Sequence, residues 1–171
     1  WSGSFGQSNP VTVAAPLDPR TTDMNAAAEW GDNRCSLRLQ YDCSWFNNDV
    51  QTLVWDNPLR AVDSATAGSS QGRTALWPSS TMNAVSVTGT ASLPARSRVT
   101  AYASVGRWDQ NEDLLPFTIN SAIAPIRLDR TSAEAAADVT ALNSSYTSRP
   151  VDRLWLNVRY RRYDFNNKTP E

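Results

Sequence analysis

The chain has no histidine, two cysteines, and a single lysine beside 15 arginines. Without histidine it lacks the usual general base, the commonest zinc ligand and the usual axial haem ligand. Cys35 and Cys43 form no C-x-x-C pair, so neither a dithiol redox motif nor a c-type haem attachment is encoded. In one extended strand their Cα atoms would lie ~26 Å apart, beyond the ~4.4–6.8 Å of a disulfide. They read as two small apolar residues on one face. Charge is nearly balanced, 16 Lys+Arg against 17 Asp+Glu, which leaves no basic footprint for nucleic acid. No run of ~18 apolar residues occurs; that excludes a transmembrane helix but not a membrane strand, whose signal is weaker per segment. G-x-S-x-G, P-loop and G-x-G-x-x-G motifs are missing, and no catalytic constellation emerges, so the chain reads as a non-enzyme.

What is present is alternation. From Arg34 to Trp45 the odd positions are Cys35, Leu37, Leu39, Tyr41, Cys43 and Trp45, and the even ones are Arg34, Ser36, Arg38, Gln40, Asp42 and Ser44. One apolar and one polar face mark a strand between two different environments. Met24 to Trp30 precedes it more weakly across a Gly31-Asp32-Asn33 turn. A second pair runs through Val85–Leu93 and Arg98–Val105 around Pro94-Ala95-Arg96. A third runs from about Ala135 to Ser148, turns at Arg149-Pro150-Val151-Asp152, and returns through Leu154–Arg161. The expectation is all-β: an antiparallel meander of about six long strands in three hairpins, at about 24–46, 83–108 and 135–165. Long exterior loops are expected at about 47–82 and 109–133, and the whole of 1–171 as one segment of a large transmembrane β-barrel. Short turns alternating with long polar loops are the layout of outer-membrane barrels.

Trp45, Phe46, Trp108, Tyr163 and Phe165 fall about a dozen residues beyond the turns, where an interfacial aromatic girdle is expected. Arg38, Arg98, Arg159 and Arg161 fall on the polar faces of their strands, which in a barrel line the lumen, because a charge facing lipid costs ~2–4 kcal/mol at the midplane. They are candidates for contact with a partner inside, or for pairing with carboxylates such as Asp42 and Asp138. Asp109, Asn111 and Asp113 open like a calcium loop, but Leu114 and Asn120 stand where an EF-hand needs Gly and Glu. They remain a weak loop-calcium candidate; no other metal site is expected.

Four segments carry a resemblance beyond pattern: Ser44–Arg60, Asp63–Pro78, Ser92–Ile123 and Thr147–Pro170. Their most specific elements are the LP-R-SR-T turn followed by "LLPFTIN", and the "SRP" turn followed by the "YR-YD-NN-TP" strand end. Together they resemble the MtrB/PioB family of decahaem-associated outer-membrane proteins. The C-x-x-C near the start of some members is missing here. The resemblance implies a porin-like barrel in the bacterial outer membrane that sheathes a multihaem cytochrome for extracellular electron transfer. It implies no cofactor in the protein itself, haem only in the partner, and outer-membrane lipid around it. The partners implied are a periplasmic multihaem c-type cytochrome and, as a second candidate, an extracellular cytochrome. The same patterning serves a diffusion porin or a TonB-dependent receptor. A soluble β-sandwich binding module, stacking sugars on Trp55, Trp77 and Trp108, is the remaining reading. Six strands cannot close a membrane barrel, the smallest having eight, and the chain starts at Trp1. We therefore expect an internal piece of a longer protein, forming a strongly curved sheet with open edges.

Overall fold

A computed structural model describes Ser2–Ser4, Pro10–Thr12, Ala14 and Asp18–Pro170. Its strands are β1 (Ser2–Ser4), β2 (Pro10–Thr12), β3 (Pro19–Gly31), β4 (Cys35–Asn48), β5 (Thr52–Asp56), β6 (Gln71–Ala75), β7 (Ser80–Leu93), β8 (Ser97–Gln110), β9 (Ala135–Val151) and β10 (Leu154–Asn167). No helix occurs among the described residues. Six long strands form one antiparallel sheet in the order β10-β9-β8-β7-β4-β3, while β1-β2 and β5-β6 are separate two-stranded ribbons. The expected all-β, six-stranded antiparallel arrangement is therefore what the chain adopts.

The short turns join strands at one end of this sheet. Between β3 and β4, Asp32 Oδ1 accepts hydrogen bonds from the amides of Arg34 and Cys35 at 2.7 and 2.8 Å. These donors, the Arg34 amide foremost, hold the Asp32 carboxyl below the usual carboxylate range. Between β7 and β8, Ala95 and Arg96 both take left-handed φ, 58° and 49°. The third turn differs from the expectation. Arg149, Pro150 and Val151 still belong to β9, and the chain reverses at Asp152-Arg153. Proline has no amide for a ladder, but Pro150 lies past the last β8 partner (Arg98 opposite Thr147) and beside the register shift between Leu154 and Leu156. A bulge next to a free edge is where a strand tolerates proline.

The chain divides into two compact units. One is the six-stranded sheet (Thr21–Phe46, Ser80–Gln110, and the described residues from Glu134), and the other gathers Asn47–Ser79 and Asn111–Ala133 with the described residues up to Arg20. Within the second unit β5 and β6 form a hairpin that the polar composition of this stretch did not suggest. Trp55 of β5 stands opposite Gly72 of β6, and a Cβ at Gly72 would meet the indole at 2.5 Å. The absent side chain is what lets the ring lie across the ribbon.

The sheet has almost no interior. Among the described residues the buried apolar side chains are Cys43 and Leu53 alone. A β-sandwich buries the inner faces of two sheets against each other. Here Leu39, Val105 and Val158 are 53, 59 and 62% exposed. The apolar face of this sheet is made for an environment outside the chain.

Candidate functional site

Residues paired across an antiparallel sheet share a face, so the register assigns every side chain to one of two faces. The apolar face carries Cys35, Leu37, Leu39 and Tyr41 of β4 opposite Ala91, Gly89, Val87 and Val85 of β7. It continues through Val99, Ala101, Ala103 and Val105 of β8 to Tyr146 and Leu142 of β9. Val158 and Tyr160 of β10 complete it. Its uninterrupted apolar runs are eleven residues in β4, nine in β7 and seven in β8, about 33, 26 and 20 Å along the strands, while Ser144 and Thr140 interrupt it on β9. The β4 and β7 runs match the ~9–11 residues that a tilted membrane strand needs. Both free cysteines lie on this face, as expected for small apolar residues.

The same face turns polar at its loop end. Asn83 pairs with Arg107 and Arg107 with Asp138, while Arg162 and Asp164 follow Tyr160 along β10. Its arginines are matched to carboxylates two residues on: Arg107 Nε donates to Asp109 at 2.9 Å and Arg162 Nε to Asp164 at 2.7 Å.

The opposite face is polar over its middle. One row reads Arg38, Thr88, Tyr102, Asn143, Arg161, and the next Ser36, Thr90, Thr100, Ser145, Arg159. Arg98 falls one row further, opposite Ser92 and Thr147. The four arginines singled out from alternation thus share a face, but their surroundings differ. Arg38 donates to Glu29 at 2.8 Å and to Gln40 at 2.9 Å, and Gln40 donates on to Asp42 at 2.7 Å. Among the described residues, Arg98, Arg159 and Arg161 take part in no ion pair or side-chain hydrogen bond.

The aromatic girdle requires correction. Trp45 lies on the apolar face, but Phe46, Trp108, Tyr163 and Phe165 share the face of the arginines: Trp108 pairs with Met82 and Ala137, Phe165 with Val139, Tyr163 with Ala141. Adjacent residues in a strand point to opposite sides, so Trp45 and Phe46 could never belong to one ring. The four rings instead form an apolar shelf at the loop end of the polar face, with a cavity of about 370 Å³ bordered by Trp108, Ala137 and Phe165. Facial polarity therefore reverses near the loop end on both sides of the sheet.

The calcium candidates show no ligand set. Asp109 accepts from Arg107, and Asp113 makes a backbone bridge to Ser132. Among the described residues no group of three or more His, Cys, Asp or Glu side chains surrounds a metal position.

The loop unit holds a feature that alternation could not show. Asp63 accepts five hydrogen bonds: Oδ1 from Ser69 Oγ (3.2 Å) and from Ser70 N and Oγ (2.7 and 2.8 Å), Oδ2 from Ser121 N and Oγ (both 2.7 Å). Buried Asn120 adds a bond from Nδ2 to the Ser64 carbonyl at 3.0 Å. Nearby, Glu112 accepts from Gln51 and Ser79, and Arg73 donates to the Pro116 carbonyl. The Ser121 hydroxyl, with the Ser70 and Ser121 amides, holds the Asp63 carboxyl far below the usual carboxylate range. The two long connections are thereby one cross-linked body. The only sequence signal was turn chemistry in "DSATAGSS" and "TINS", two stretches that also carry the family resemblance.

The family model described as "Putative outer membrane beta-barrel porin, MtrB/PioB" matches residues 2–171. A search among curated proteins found no match to this chain. A two-faced antiparallel sheet, largely apolar on one side and polar on the other, is what such a barrel wall requires, and with the match running over nearly its whole length this chain belongs to the MtrB/PioB family of outer-membrane β-barrel porins.

Proposed function

We propose that this chain is part of the wall of an outer-membrane barrel that holds and insulates a multihaem cytochrome, so that electrons cross the membrane through the partner's haems. The observation that carries the reading is the difference between the two faces of one sheet. The apolar face is exposed, reaching a membrane strand's length on β4 and β7, and lipid is the solvent that makes this favourable. The opposite face offers hydroxyls, amides and unpaired arginines, a surface suited to a hydrated protein rather than to lipid. Without histidine or a C-x-x-C-H motif this chain supplies no usual haem ligand or attachment, so redox centres would belong to the occupant. The protein's own contribution is position and exclusion: a rigid hydrogen-bonded wall that keeps lipid and bulk ions away from the conducting path. The occupant would be a periplasmic multihaem c-type cytochrome, with an extracellular cytochrome as the further acceptor or donor.

The test is purification of the full-length protein from outer membranes under mild detergent. A co-purifying Soret band, lost when the gene for the co-purifying cytochrome is removed, is the expected result. A haem-free protein that conducts ions as an open channel in planar bilayers would overturn the sheath and favour a diffusion porin.

A further inference from the structure

The polar face is not uniform in charge. On β3 and β4 acids accompany the cation: Glu29 and Asp42 lie in one hydrogen-bonded chain with Arg38 and Gln40. On β8, β9 and β10 the register places Arg98, Arg159 and Arg161 on this face with no carboxylate in the rows they share; Asp152 of the β9–β10 turn is held by Arg96 and Arg149. The occupants of the face there are Thr100, Tyr102, Ser104, Asn143, Ser145, Thr147 and Asn157, followed by the apolar shelf. The acids of the same strands, Asp109, Asp138 and Asp164, all fall on the other face, where Arg107 and Arg162 pair with two of them. Within β8–β10 the strand carboxylates are therefore confined to one face, two of them beside arginines, while the other face carries arginines without strand carboxylates.

From this we infer that the β8–β10 half of the polar face docks a carboxylate-rich protein surface, with one carboxylate seated in the cavity of about 250 Å³ bordered by Thr100, Tyr102, Asn143, Arg159 and Arg161. This rests on the interior of the barrel holding a protein. Size favours such an occupant over a free anion. With strands ~4.8 Å apart and ~3.3 Å per residue, Arg98 lies about 12 Å from Arg159 and about 16 Å from Arg161. No single small anion spans that distance, whereas acidic side chains spaced along a protein surface do. Tyrosine and arginine beside a polar rim are also what protein interfaces favour. Guanidinium groups left without partners keep their forks free for bidentate carboxylates.

The experiment uses the full-length protein, purified haem-free into detergent micelles, with a fluorescein-labelled decaglutamate peptide as the probe. Three proteins are compared: wild type, Arg98→Gln/Arg159→Gln/Arg161→Gln, and the outer-face control Arg107→Gln/Arg162→Gln. Heat-modifiable gel migration first establishes that each is folded. The expected result is salt-sensitive binding by wild type, roughly tenfold weaker in the triple variant, as three exposed charge pairs allow, and within about twofold in the control. Equal binding by the triple variant, or equal loss in the control, overturns the proposal. So does displacement of the peptide by inorganic phosphate beyond the effect of sodium chloride at the same ionic strength, since that marks a small-anion site. The sheath reading fails separately, by absence of a co-purifying Soret band, and the peptide measurement does not depend on it.

Discussion

Asp63 concentrates five donors from Ser69, Ser70 and Ser121 on one carboxylate. Its carboxyl is displaced below the unfolded value, so the stabilisation it gives is present above that value, near pH 3.8, and is lost only as the pH falls through the lower folded one. Limited proteolysis of the loop unit should thus be unchanged between pH 7 and 5. Asp63→Ala should speed cleavage around residues 118–123 several-fold at every pH in that range; an unchanged digestion pattern would remove the clamp's role. At the β7–β8 turn, Ala95 holds a left-handed φ that disfavours any residue with a Cβ by ~1–2 kcal/mol. Ala95→Gly should therefore raise stability by up to ~1 kcal/mol in urea unfolding of the full-length protein, after glycine's greater unfolded-state entropy is subtracted.

At the scale of the strand, facial assignment makes a sharp contrast between neighbours. Val87 lies mid-band on the apolar face and Ser86 on the polar one. Val87→Arg should cost ~2–4 kcal/mol and reduce the folded fraction in outer membranes, while Ser86→Arg should be tolerated. Heat-modifiable migration reads both, and equal behaviour would mean that the apolar face does not meet lipid. In the β5–β6 ribbon, Gly72→Ala would drive a methyl into the Trp55 indole. Trp55 must then leave its cross-strand seat, and a shifted, broadened tryptophan emission is expected. Gly89→Ala, which meets Leu37 Cδ1 at 3.8 Å and the Ser36 carbonyl oxygen at 4.0 Å, both ordinary contacts, should be silent by comparison.

Over the whole molecule, the missing core is the governing fact. With Cys43 and Leu53 as the buried apolar residues among those described, burial within the chain does not supply the stabilisation of a water-soluble domain of this size. On the reading proposed above, the hydrogen-bonded ladder and lipid against the apolar face would supply it. The outermost strands β3 and β10 each offer one unpaired edge, and a barrel abolishes such edges by closure. Much of this was legible from residues alone. Arg34–Trp45 alternates without exception, and the Gly31-Asp32-Asn33 and Pro94-Ala95-Arg96 turns lie where their chemistry puts them. The third turn did not, because Pro150 reads as a turn residue until the register shift beside it is known. The girdle failed for a different reason: rings were aligned by distance from a turn, while their parity along the strand decides which side they occupy.

Alternation is a local property, set by the two-residue period of an extended backbone, and the sequence by itself determined the six long strands, their two-faced character and the absence of the usual haem ligands. Register is not local. Which row of β8 meets which row of β9 and β10 depends on hydrogen bonds between residues dozens of positions apart, and only the tertiary structure decided that Arg98 joins Arg159 and Arg161 on a surface without strand carboxylates while Arg38 is matched to Glu29. The same holds for the loop unit, where Asp63 and Ser121 meet across 58 positions of chain that no periodicity connects.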